Sequence, residues 1–174
     1  MNNFKENLQK VKAFIFDIDG VLSRQTLYID NNDGGPMRTI NLRDGYALQL
    51  AVKKGYRLAV ISGGNSKSFE KRLRSLGIDS IFMDCNNKKK TYSEFLALED
   101  LNNEEVLYMG DDIPDYEIMN MVGVPVCPED ADSEIKQISC YVSDKKGGEG
   151  CVRDIIEQVL RLHGKWLNND AFYW

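Results

Sequence analysis

Ala13-Phe14-Ile15-Phe16, followed at once by Asp17-Ile18-Asp19-Gly20-Val21-Leu22, decides the fold. A short apolar run with no polar interruption reads as a buried strand. The acid that ends it stands at the carboxyl end of that strand. Open α/β sheets bind their ligands at that edge. The same grammar recurs downstream. A second strand is expected over residues 57–61, ending at Ser62-Gly63-Gly64. A third is expected over 80–83, and a fourth over 105–109, ending at Gly110-Asp111-Asp112. Shorter candidates lie at 124–126 and 141–142.

Amphipathic stretches separate these runs. Residues 45–53 carry Ala47, Leu48 and Ala51 on one stripe, and 66–76 carry Phe69, Leu73 and Leu76. Residues 91–98 place Phe95 and Leu98 three apart. Pro114 suits the first turn of a helix that carries Ile118, Met119 and Val122. Residues 151–162 carry Val152, Ile155, Ile156 and Val159. Alternation of this kind predicts an α/β fold, a mainly parallel sheet with helices on both faces. One segment breaks it. Leu27-Tyr28-Ile29 and Met37-Arg38-Thr39-Ile40 flank a stretch of Asp, Asn and Gly, which predicts a β-hairpin inserted at about residues 24–41. With no linker or repeat in view, residues 1–174 are expected to form one domain. The tail at 164–174 holds Trp166, Phe172, Tyr173 and Trp174, aromatics that need a surface to pack on.

Composition excludes several classes. The formal net charge of −5 argues against a nucleic-acid or anionic-membrane surface. No apolar run is long enough to span a membrane, and the first residues lack a secretory pattern, so a cytoplasmic chain is expected. Cys85, Cys127, Cys140 and Cys151 form no C-x-x-C pair, and His163 is the single histidine. That argues against structural zinc, a disulfide scaffold and a histidine-based triad. His163 is assigned to a surface or C-terminal helix position.

The acids fall where chemistry is expected. Asp17 and Asp19 follow the first strand; Asp111, Asp112 and Asp115 follow the fourth. Ser62 follows the second, and Lys88 is placed in the loop after the third, with Lys89 as the alternative register. Clustered carboxylates stay ionised only beside a cation. A hard, oxygen-seeking ion suits this set, and Mg²⁺ is the usual choice with phosphates. Metal and lysine together would cradle a phosphoryl group. One carboxylate could then attack phosphorus, while a second protonates the leaving oxygen and later activates water.

Asp17-Ile18-Asp19-Gly20-Val21 resembles the first signature of the haloacid dehalogenase superfamily. Ser62, Lys88 and Gly110-Asp111-Asp112-x-x-Asp115 resemble its second, third and fourth motifs in chain order. The resemblance implies a Rossmann-like domain and a role for each residue. Asp17 is the nucleophile and a metal ligand, Asp19 the general acid/base with its backbone carbonyl on the metal. Ser62 donates to phosphate and Lys88 neutralises it. Asp111 is a direct metal ligand, while Asp112 and Asp115 orient water and Lys88. The alternative for Ser62 is a plain helix cap.

Between Asp19 and Ser62 there is room for a hairpin and one helix only, so no cap domain is expected. Asn41-x-Arg43-Asp44-Gly45-Tyr46, Gly147-Gly148-x-Gly150 and Val152-Arg153-Asp154 resemble the phosphatases of 3-deoxy-D-manno-octulosonate 8-phosphate. That resemblance implies a sugar-acid phosphate substrate in lipopolysaccharide synthesis. It also implies a homotetramer in which a neighbouring subunit completes the active site. Substrate contacts are then expected from Gly63, Gly64, Arg43, Asp44, Gly148 and Glu149. Gly64 and Glu149 stand where that family often has arginine; Arg43, Arg38 or Lys146 could supply the charge instead. A nine-carbon ulosonate phosphate or another sugar phosphate is the alternative substrate. A phosphotransferase is disfavoured by the missing cap, and a receiver domain by acids after the first and fourth strands. A non-catalytic oligomerisation module is disfavoured because Asp17 and Asp19 are both present.

Overall fold

The computed structural model describes residues 4–29 and 36–173. The expected hairpin turn at residues 30–35 and the tail residue Trp174 lie outside the described residues. The strands are β1 (Ala13–Phe16), β2 (Tyr28–Ile29), β3 (Pro36–Met37), β4 (Arg57–Ile61), β5 (Ser80–Phe82), β6 (Val106–Met109), β7 (Val124–Cys127) and β8 (Tyr141–Val142). The helices are α1 (Phe4–Gln9), α2 (Leu42–Lys53), α3 (Lys67–Ser75), α4 (Lys88–Glu99), α5 (Tyr116–Met119), α6 (Ser133–Ile138) and α7 (Cys151–Leu162).

The main sheet has the order β5-β4-β1-β6-β7-β8, and every pairing in it is parallel. β1 is central, with Phe16 opposite Val60 on one side and Met109 on the other. That register brings the residues after β1, β4 and β6 to one edge.

Both faces are covered, and β1 shows why its sequence lacks polar residues. Side chains alternate across a strand. Phe14 and Phe16 pack into a core with Leu48, Leu50, Leu73, Ile155 and Val159 from α2, α3 and α7. Ala13 and Ile15 pack into a second core with Tyr92, Phe95, Ile118 and Ile135 from α4, α5 and α6. All of β1 is buried.

Helix starts follow from caps. Asn41 accepts from the Arg43 and Asp44 N–H groups and starts α2 earlier than the apolar stripe alone indicates. Ser66 caps α3 through the Phe69 N–H, so Ser62 is not the cap of that helix. Asn87 accepts from the Lys90 N–H and starts α4 at Lys88. This corrects the loop expected for the lysine run: Lys88 is the first residue of a helix. The short helices α1 and α6 were not evident from periodicity.

β2 and β3 pair antiparallel, Tyr28 with Met37 and Ile29 with Pro36, so the hairpin forms outside the main sheet. Between β1 and β4 the described residues hold a turn at Ile18–Leu22, this hairpin and α2, and no cap domain among them. The tail turns back on the domain it follows. Trp166 and Ala171 are buried, and the Tyr46 hydroxyl donates to the Ala171 carbonyl. Phe172 and Tyr173 remain exposed. His163 caps the end of α7 and bonds to the Tyr56 hydroxyl and the Leu8 carbonyl. The four cysteines are unpaired, and no described helix is long and apolar enough to cross a membrane.

Candidate active site

Directly after β1 the chain makes one wide turn, Ile18–Leu22, closed by the Ser23 N–H on the Ile18 carbonyl at 2.8 Å. Gly20 takes φ +82° inside it, and a Cβ there would stand 1.9 Å from Asp111 Oδ2. The glycine therefore serves two needs: a left-handed backbone, and space for the acid arriving from β6.

Asp17, buried at the mouth of β1, accepts the Ile18 N–H at 2.6 Å on one oxygen and Lys88 Nζ at 2.7 Å on the other. Lys88 also donates to Asp115 at 2.7 Å. Asp115 is fully buried and takes further bonds from the Tyr108 hydroxyl at 2.6 Å and the Asp111 N–H at 3.2 Å. It is the structural hub that fixes Lys88 and the Asp111 backbone. Oxygens of Asp17, Asp111 and Asp115 lie within 4.8 Å of one another.

Such crowding has an electrostatic signature. Burial, then the Asp115 charge, push the Asp17 carboxyl above its usual range; Lys88 pulls the other way. Burial, with Asp17 and Asp115 behind it, pushes Asp111 up to about 7. Burial works against the Lys88 charge, but its two carboxylate partners prevail and raise its pKa. Oxygen donors that resist ionisation suit a hard divalent cation, which would neutralise them. Asp17 and Asp111 would hold it.

The cavity over these groups has a volume of about 750 Å³ and is lined by Asp17, Asp19, Gly20, Ser62, Gly63, Gly64, Lys88, Asp111 and Asp112, among others. Ser62 is buried, and its hydroxyl accepts the Gly64 N–H at 3.1 Å. Asp112 caps its own turn through the Ile113 N–H and stays exposed. The Asp19 side chain turns away from the acid cluster, toward Arg38: Nε donates at 2.6 Å and Nη2 at 2.8 Å. A larger groove, about 1050 Å³, lies at the amino ends of the strands. Three ion pairs line it, Lys10 with Glu104, Lys12 with Glu105 and Arg57 with Glu99, and Lys165 lies over the Tyr56 ring.

Four residues expected as substrate contacts do not line the site cavity. Arg43 and Glu149 border a separate cleft with Arg153 and Glu157. Glu149 pairs there with Arg24 at 3.3 Å. Asp44 is fully buried and accepts the Arg153 N–H at 2.7 Å, which makes it a capping acid for the first turn of α7. Gly148 donates to the Val21 carbonyl at 2.8 Å. A Cβ on its neighbour Gly147 would stand 1.9 Å from the Gly20 carbonyl. This glycine pair is a close-packed brace for the turn after β1. Lys89 pairs with Glu117 on the surface.

Sequence reasoning missed other lining residues. Gln25 donates to Asp111 at 3.3 Å and to the Asp130 carbonyl at 3.0 Å. Asp130 and Asp132 enter from the loop after β7, the next strand end along the same edge. That loop position was the available signal, because ligands gather at carboxyl ends.

Known proteins are similar to this chain in sequence and in fold. The model of the haloacid dehalogenase-like hydrolases matches residues 41–128, which include Ser62, Lys88 and Asp111. The 3-deoxy-D-manno-octulosonate 8-phosphate phosphatase of Escherichia coli K12 is 34% identical over 157 residues, spanning 90% of this chain and 83% of that protein. The crystal structure of the phosphatase of that name from Yersinia pestis superposes with a TM-score of 0.91 at 31% identity, covering 94% of this chain and 88% of the other. The one from Moraxella catarrhalis, in complex with magnesium ion, phosphate ion and a KDO molecule, gives a TM-score of 0.90 at 27% identity, covering 99% and 97%.

Proposed function

The chain belongs to the haloacid dehalogenase-like hydrolases and, among them, to the 3-deoxy-D-manno-octulosonate 8-phosphate phosphatases; on that premise we propose that it hydrolyses 3-deoxy-D-manno-octulosonate 8-phosphate through a phosphoryl-aspartate at Asp17. It is a phosphatase, and its cofactor is Mg²⁺. The observation that carries the mechanism is the Asp17–Lys88–Asp115 arrangement at the carboxyl end of the central strand.

Asp17 attacks phosphorus with one carboxylate oxygen. The bond from phosphorus to the sugar oxygen breaks as Asp19 gives that oxygen a proton. Asp19 then takes a proton from water, whose oxygen attacks the phosphoryl-aspartate, releasing phosphate and restoring Asp17. The Lys88 ammonium and Ser62 hydroxyl bind the phosphoryl oxygens, and Gly63 and Gly64 leave room for them. Asp17 and Asp111, with the Asp19 backbone carbonyl, would hold Mg²⁺, which would screen the attacking carboxylate from the phosphate charge. Asp115 holds Lys88, and Asp112 orients water.

The assembly in this reading is a homotetramer in the cytoplasm. Tyr28, Ile29 and Met37 on the hairpin, with Phe172 and Tyr173 on the tail, are exposed apolar surface that a neighbour would cover. Light scattering should give the mass of four chains; a monomer would contradict this part.

A phosphate-release screen tests the rest. It compares octulosonate 8-phosphate, a nonulosonate 9-phosphate and a hexose 6-phosphate, using wild type and Asp17→Asn. The eight-carbon acid should be preferred, and the substitution should remove at least about 10³-fold of activity. A preference for the hexose phosphate would overturn the substrate, and full activity of Asp17→Asn would overturn the mechanism.

A further inference from the structure

Arg38 comes from the arm just after β3, flanked by the exposed residues Met37 and Thr39, yet its side chain is only 5% exposed. It meets two residues of the cavity lining, Asp19 and Gly64. Its guanidinium grips both oxygens of Asp19, at 2.6 and 2.8 Å, and donates to the Asn65 carbonyl at 3.3 Å. Gly64 makes that reach possible: a Cβ there would stand 2.6 Å from Arg38 Nη2 and 3.2 Å from Asp19 Oδ2. Any side chain at position 64 would displace the guanidinium, so the arginine and the glycine are spatially matched.

The cavity needs this charge. Its described lining carries Asp17, Asp19, Asp111, Asp112, Asp130 and Asp132 but a single cation, Lys88, already committed to Asp17 and Asp115. A sugar-acid phosphate brings two anionic groups. Lys88 serves the phosphoryl end, and the carboxylate end requires another donor. A planar guanidinium presents two parallel N–H groups that match a carboxylate, the geometry it already makes with Asp19.

Resting on the phosphatase reading above, we propose that Arg38 is a specificity-determining residue that recognises the substrate carboxylate by exchanging it for Asp19. The exchange has a second effect. While Arg38 holds both Asp19 oxygens, neither is free to meet the leaving sugar oxygen. A substrate carboxylate that takes the fork releases them, so a sugar phosphate without a carboxylate leaves the clamp in place.

The test compares octulosonate 8-phosphate with its methyl ester in wild type, Arg38→Gln and Arg38→Lys. For the acid, kcat/KM should fall about 30-fold or more in Arg38→Gln, and about tenfold in Arg38→Lys, which keeps charge and loses the fork. For the ester, neither variant should lose activity, and Arg38→Gln should gain about threefold or more, because the clamp on Asp19 that the ester leaves in place is then gone. Equal losses on acid and ester would overturn the proposal, leaving Arg38 as a prop for Asp19, and so would no loss at all. Binding gives a readout independent of turnover. Calorimetry with Mg²⁺ should show wild type binding free 3-deoxy-D-manno-octulosonate about tenfold or more tighter than its methyl ester, and Arg38→Gln binding them alike. A wild type without that preference overturns the carboxylate contact even where phosphate release succeeds. A preference that vanishes in Arg38→Gln supports it even where phosphate release fails, which would sink only the catalytic reading.

Discussion

Lys88 Nζ lies 2.7 Å from Asp17 Oδ2, joining groups 71 residues apart in the chain. The contact exists because α4 begins at Lys88 and aims its first side chain back across the sheet edge, where Asp115 holds it from the other side. The ammonium is thereby fixed beside the attacking carboxylate before any phosphate arrives.

Lys88→Met should therefore lower phosphate release by about 10²–10³-fold, the usual scale for removing one preorganised donor. Lys89→Ala removes only an exposed partner of Glu117 and should change activity by less than about twofold. Steady-state kinetics on the two variants checks the register of the lysine run. Equal effects would mean that the wrong lysine has been assigned.

Chelation should abolish activity, and Mg²⁺ should restore it. The pH dependence follows from the raised carboxyls. Groups whose folded pKa lies above the unfolded value hold extra protons in the folded state, so the metal-free protein loses stability as pH rises toward 7. Mg²⁺ binds the ionised form and must displace those protons. Its affinity should be about tenfold weaker at pH 6 than at pH 8, from Asp111 alone. Thermal melts with and without Mg²⁺ at both pH values measure this. A larger Mg²⁺-induced rise at pH 6 would contradict it.

Gly20→Ala should damage the metal site rather than the distant core. The backbone at φ +82° disfavours any Cβ by about 1 kcal/mol, and the added methyl would collide with the Asp111 carboxylate. Mg²⁺ affinity should drop by at least about tenfold, since a ligand oxygen must move. Unchanged Mg²⁺ titration of this variant would show that Asp111 is not where the ion binds.

Asp44 sets a separate pH dependence. Burial raises its carboxyl to about 6, against the Arg153 N–H that favours the ion, and one of its oxygens has no hydrogen-bond partner. The raised value means that stability is fullest below pH 3.8 and is lost as pH climbs through about 6. Asp44→Asn removes that titration. Relative to wild type, the variant should gain up to about 3 kcal/mol between pH 4 and pH 7. Denaturant midpoints for both proteins across that range give the difference. A difference that does not change with pH would refute the assignment.

Much of this was readable in the chain. The strand at residues 13–16 and its acids were legible because the acid is covalently next to the strand, so placing one places the other. Ser62 and Asp111 followed for the same reason. Lys88 was harder. A lysine run reads as solvated loop unless Asn87 is recognised as a cap, and the cap acts through a side-chain bond that periodicity does not encode. Arg43, Asp44, Gly148 and Glu149 were read as substrate contacts, yet they stand beside α7 or the turn after β1. Asp44 meets Arg153 across 109 residues, a contact set by how α2 packs on α7.

The amino-acid sequence by itself determined the parallel sheet, the order of its chemistry-bearing strand ends and the identity of the acids, because each depends on neighbours along the chain. Only the tertiary structure decided which side chains face the cavity. It turned Asp19 to Arg38, tied Asp115 to Lys88 and Tyr108, and brought Gln25 and Asp130 to the rim. Side-chain direction at such places comes from packing between segments far apart in sequence, where no local pattern of residues carries the information.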